Sequence, residues 1–96
     1  MGDVQETIKR LQSQENVMGV ILLDDIGRSI LSTLNSELTK QFAVTCHPLL
    51  EKTRQAMREL DPANSVSFLH VRTKKHEIMI SPDRNFSLLV IINPSE

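Results

Sequence analysis

The sequence predicts an α+β sandwich: a five-stranded antiparallel sheet in the order 2-1-5-4-3, with one short N-terminal helix on one face and one long helix on the other. Three observations predict it. Val17 to Leu23 and Phe86 to Ile92 are apolar at consecutive rather than alternate positions, as expected of central strands buried on both faces. From Leu38 onward, positions 42, 46, 49, 53, 57 and 60 recur at helical intervals over about six turns. The remaining strand-like segments are joined by short turns, which make neighbours in sequence antiparallel neighbours in space.

Each element follows from local chemistry. Asp3 and Glu6 have capping-box spacing, and Val4, Ile8 and Leu11 follow at helical intervals, so a short amphipathic helix is expected over about residues 3 to 14. The first strand, Val17 to Leu23, ends at the turn residues Asp24-Asp25-Ile26-Gly27, and Arg28 to Thr33 reads as the returning strand. Asn35-Ser36 offers an N-cap to the long helix, which runs until Asp61-Pro62-Ala63-Asn64-Ser65 breaks its pattern. Pro48, inside that helix, removes one backbone hydrogen bond and should kink it. Three strands follow: Val66 to Thr73, His76 to Ser81 and Phe86 to Ile92. Placing the two doubly apolar strands side by side at the centre, with hairpins tying 2 to 1, 3 to 4 and 4 to 5, leaves only the order 2-1-5-4-3.

Ninety-six residues make one domain, residues 1–96, with a core of modest size. Eleven basic residues against twelve acidic ones leave a formal charge of -1, with no basic block and no Trp or Tyr, which argues against a nucleic-acid partner. The single cysteine, Cys46, excludes an internal disulfide and fits a reducing compartment. No segment has the length and apolarity of a membrane span or the layout of a secretory signal, so a cytoplasmic protein without membrane insertion is expected. Met1-Gly2 invites myristoylation, but Glu6 stands where that motif wants Ser or Thr. Asn85-Phe86-Ser87 spells a glycosylation acceptor, and without a secretory signal it reads as a turn entering a strand.

The long helix carries surplus apolar surface. At 100 degrees per residue, Leu38, Phe42, Leu49, Thr53 and Leu60 share one direction, while Ala43, Leu50 and Met57 form a flanking column, a combined stripe of about 140 degrees where one surface needs about 100. The column is expected to meet a second helix. The third strand, SVSFLHVR, is an edge with no proline and one terminal charge to blunt it, so Ser67, Leu69 and Val71 are expected at a two-fold strand pairing. A homodimer with a continuous ten-stranded sheet is expected, the alternative being a monomer whose wide helix stripe is covered by loops.

A search for chemistry returns structural explanations. Cys46 and His47 point about 100 degrees apart on a helix, so they do not form a nucleophile and base. His47, His70 and His76 lack metal-ligand spacing. Asp24 and Asp25 are turn formers, and Arg72, Lys74 and Lys75 make a small basic hairpin tip. Three glycines cannot build a phosphate loop. No catalytic, cofactor or metal residue is expected.

VQETIKRLQS near the start, ELDPANSVSFLHVRTKKHEIMISPD in the middle and VIINPSE at the end resemble the roadblock family of cytoplasmic dynein light chains. The resemblance runs from about residue 3 to 96, with RTKKHEIM and NPSE its specific segments. It departs at DDIGRSILST: where the family usually has a glycine-isoleucine-proline sequence followed by a basic residue, Arg28, Ser29 and Leu31 stand in those places. The resemblance implies a profilin-like roadblock fold and a homodimer, or a pairing with a paralogous light chain. It implies a non-catalytic role: binding the dynein intermediate chain and helping to assemble the motor's cargo-binding part for microtubule-based transport, in the cytoplasm on the cytoskeleton. Relatives outside dynein regulate or scaffold small GTPases, which is the alternative. Val4, Ile8, Leu11, Ile26 and Leu31 are the expected partner-binding residues. Val4, Ile8 and Leu11 lie on the first helix, and Ile26 and Leu31, apolar where a hairpin's outer side would normally be polar, extend that surface; part of the first-helix face is expected to stay open because Asn93-Pro94 ends the fifth strand.

Overall fold

The computed structural model describes residues 2–93. Helix α1 spans Gly2–Gln12, strand β1 Val17–Asp24, β2 Ser29–Ser32, helix α2 Ser36–Leu60, β3 Leu69–Arg72, β4 Glu77–Pro82 and β5 Phe86–Ile92. The strands form one antiparallel sheet in the order β2-β1-β5-β4-β3, with α1 on one face and α2 on the other, as the sequence predicts. Pro94, Ser95 and Glu96 of the NPSE segment lie outside the described residues.

Helix α1 starts earlier than expected, so Asp3 lies in its first turn, where its charge suits the helix dipole, rather than ahead of it as a cap. The chain leaves α1 through Asn16, whose positive φ of 74° an Asn side chain tolerates. Gln12 ties the helix end to the sheet: its amide donates to the Val17 carbonyl, and its carbonyl oxygen accepts from the Thr33 hydroxyl.

The β1–β2 turn is built on Asp24. Its carboxylate accepts from the Ile26 and Arg28 amides at 3.1 and 2.8 Å, while its carbonyl accepts from the Gly27 amide at 3.1 Å. Partial desolvation opposes ionisation of Asp24, but these amides and the Arg28 guanidinium outweigh it and hold the carboxyl below its usual pKa.

Asn35 caps α2, its side chain accepting from the Leu38 amide at 2.8 Å. At the other end the Asp61 amide donates to the Met57 carbonyl before Pro62 stops the helix. Helix α2 continues through Pro48 as one 25-residue element. Pro48 therefore costs the Val44 carbonyl its i+4 donor without ending the helix.

Two strand expectations are corrected. Only Leu69–Arg72 of the expected Val66 to Thr73 is strand. Leu69 faces Ile80 and Ser87 faces Pro82, so extending β3 would set Ser67 opposite Pro82, which has no amide to donate. Strand β5 is not buried on both faces. Ser87, Leu89 and Ile91 are buried toward α2, whereas Phe86, Leu88, Val90 and Ile92 are half-buried toward α1. The short α1 cannot span the whole sheet. Strand β1, with Val20, Ile21, Leu22 and Leu23 all buried, is the central strand the sequence describes, each such side chain contributing roughly 1.5–3 kcal/mol.

Candidate interaction surfaces

The face of α2 against the sheet is set by small residues that allow close approach. Thr39, Ala43, Cys46 and Leu50 are buried there, packed with Ile21, Leu23, Ile80, Leu89 and Ile91. The expected helix-helix column is corrected by this: Ala43 is 7% exposed and Leu50 2%, so the protomer's own sheet occupies that face. Met57, at the end of the column, is half-buried.

The surface left over lies on the neighbouring direction of α2. Leu49 is 41% exposed and Leu60 79%, eleven residues apart and so on nearly the same line along the helix, with Leu38 half-buried one repeat earlier. Phe42, on the same side, packs edge-on against His76 with ring centroids 5.8 Å apart, which sets this side of α2 beside the β3–β4 hairpin. Strand β3 ends the sheet there. Leu69 and Val71 are half-buried and in register with Ile80 and Ile78, on the α2 face, while Ser67 is exposed in the irregular segment before β3. Phe68, exposed beside Ser67, is a surface residue the sequence reading missed. An aromatic residue next to an unblunted edge was the available signal.

The expected partner-binding residues fall in two places. Val4, Ile8, Leu11 and Leu31 belong to a small cluster between α1 and the sheet, with Ile8 buried and the others half-buried. Ile8 is thus corrected to a core residue. Beside them, Val4, Leu22, Phe86 and Leu88 line a shallow pocket of about 170 Å³. Ile26 stands apart, exposed at the β1–β2 turn.

A larger groove, of about 540 Å³, lies between β2 and the N-terminal half of α2. Leu34 and Ala43 line it, with Val44 on the helix side and Arg28 and Lys40 as its charged lining residues. The sequence reading missed Val44 and Ile30, both exposed, because neither lies on a stripe.

Reactive side chains do not converge. Cys46 is buried, and burial pushes its thiol up to about 11. His70 Nε2 lies 2.9 Å from the Glu77 carboxylate across β3 and β4. Among the described residues no group of three or more His, Cys, Asp or Glu is placed to hold a metal ion, and no helix is long and apolar enough to cross a membrane.

The model of the Roadblock/LC7 domain family matches residues 3–93. Among solved structures, a Roadblock/LC7 domain from Streptomyces avermitilis superposes with a TM-score of 0.81 at 17% identity, covering 90% of this chain and 74% of that one. MglB of Myxococcus xanthus gives 0.76 at 18% identity over 95% and 76% of the two chains. The gliding protein MglB of Thermus thermophilus gives 0.79 at 10% identity over 96% and 72%. At these identities the superpositions speak to the fold alone.

Proposed function

The chain belongs to the Roadblock/LC7 domain family, and from that premise we propose that it is a non-catalytic binding module that pairs with a second copy, or with a paralogous light chain, and holds a partner protein. One observation carries this: Leu49 and Leu60 are exposed on a single line of α2, beside the unpaired edge strand β3. A two-fold axis along that side would lay the two helices together, pair the two β3 edges and remove the liability of an open edge. The seam then consists of Leu38, Leu49 and Leu60 with the strand segment holding Ser67, Leu69 and Val71, and no longer of Ala43 and Leu50. MglB has also been described in a tetrameric arrangement, which supports self-association as a habit of the fold.

The partner in the leading reading is a segment of the dynein intermediate chain, taken up to help assemble the cargo-binding part of the motor in the cytoplasm. RTKKHEIM and NPSE support it as the segments most like the dynein light chains. Co-purification of the full chain with the intermediate chain tests it, and a stable dimer with no affinity for any such segment would sink it. The second reading is a scaffold or regulator of a small GTPase. The solved structures that share the fold are compatible with it: one is named a gliding protein and none reported above is named as a dynein subunit. Nucleotide-hydrolysis assays with candidate GTPases, run with and without the protein, separate the two.

A further inference from the structure

We propose that the groove between β2 and α2 takes an extended acidic segment of a partner protein, which adds to the free edge of β2 as a further strand. This deepens the binding-module reading and rests on it for the existence of a partner, but not on self-association.

Strand β2 ends the sheet. The Thr33 amide donates to the Val20 carbonyl at 3.0 Å, and Leu31 is in register with Leu22. In an antiparallel ladder Ser32, opposite Ile21, therefore turns its amide and carbonyl away from β1, as does Ser29, opposite Leu23 and next to the Asp24 amide's bond to the Arg28 carbonyl; Ile30 between them is the extra residue of a bulge. Ser29–Ser32 contains no charge and no proline to blunt that edge. Only an extended chain satisfies a row of strand donors and acceptors, so the occupant is a strand and not a helix.

The walls specify the side chains. Val44 is 62% exposed on the helix, and Leu34 and Ala43 line the space between it and β2, so apolar residues of the occupant have somewhere to pack. The Val44 carbonyl, which loses its i+4 donor to Pro48, adds an acceptor on the helix side. Both charged lining residues are basic. Arg28 gives its Nε to Asp24 at 2.8 Å, which orients the guanidinium, and its terminal nitrogens make no hydrogen bond among the described residues. Lys40 makes no salt bridge among them either. A second copy is disfavoured here, because two-fold pairing of β2 edges would bring two sets of Arg28 and Lys40 together.

The test is an amide NMR titration of the full chain, at low salt, with a synthetic peptide alternating valine and glutamate and with its counterpart alternating valine and lysine. The glutamate peptide is expected to bind at least about tenfold tighter. Its shifts should centre on Ser29, Ser32, Lys40 and Val44. Lys40→Glu should erase the charge preference, and Val44→Glu should abolish binding while leaving the spectrum dispersed. Shifts centred on β3 or α1, equal affinity for the two peptides, or no shifts up to millimolar peptide would each overturn the proposal. Sedimentation of the same samples keeps the two readings apart. A dimer that ignores the peptide defeats the groove alone, and a monomer that binds it defeats self-association alone.

Discussion

Gly27 and His47 are in contact across the molecule: a Cβ built on Gly27 would stand 2.6 Å from the Cγ of the His47 ring, closer than any real packing allows. Gly27 also has a φ of +91°, a conformation that costs residues with a Cβ. The β1–β2 turn is thereby seated on α2, closing one end of the groove beside β2.

Gly27→Ala should therefore destabilise the protein twice over, by about 1–2 kcal/mol for the backbone and further for the clash with His47. Thermal unfolding measures the total. Adding His47→Ala removes the ring contacts but leaves the backbone cost and a 3.1 Å approach to the Cβ at position 47, so the double variant should recover only part of the loss. Full recovery would show that the positive φ is unimportant.

Leu50→Ala should cost about 2–5 kcal/mol in denaturant unfolding, because it opens a cavity between α2 and the sheet. Leu60→Ala, one residue type in a different setting, should change protomer stability by less than about 0.5 kcal/mol. Similar losses at the two positions would mean that α2 is rotated from the orientation described.

That pair of residues also marks where the sequence stops being legible. The strand order, the long helix and its caps follow from patterns local enough to read: consecutive apolar runs, Asn35 before a helical period, Asp24 to Gly27 between strands. Which side of α2 meets the sheet does not, because Leu49 and Leu50 are adjacent, equally apolar and only about 100 degrees apart. The discriminating signal is size. Ala43 and Cys46 let the helix approach closely, and they share a side with Leu50, not with Leu49. The shortening of β3 depends on which residue faces Pro82, a matter of register, and the half-open α1 face depends on the reach of an 11-residue helix across five strands. The β2 groove left no periodic trace, since its apolar residues, Leu34 before α2 and Ala43 and Val44 within it, share no strand or helix period.

Cys46 should resist thiol reagents in the native state and react fully once the protein unfolds. Its folded pKa is raised from 9.0 to about 11, so the native state favours the protonated thiol. Stability is then fully present below about pH 9 and falls as pH rises from there through about 11. Rapid labelling of native protein at neutral pH would contradict the burial of Cys46.

Asp24 gives the opposite dependence. Its folded pKa is lowered from 3.8, so its contribution is present above that value and is lost as pH falls through the folded pKa. Acid titration followed by NMR should show the Ile26 and Arg28 amides shifting together below about pH 4. Asp24→Asn should remove this step while leaving the β4–β5 turn unaffected.

The central claim, that this domain works as a self-associating module through the exposed line of α2, is tested most directly by sedimentation of the wild-type chain and Leu49→Glu at tens of micromolar. The wild type should sediment at twice the 10.9 kDa chain mass, and Leu49→Glu at the chain mass with an unchanged circular dichroism spectrum. A monomeric wild type, or a Leu49→Glu variant that keeps the dimer mass, would contradict the account.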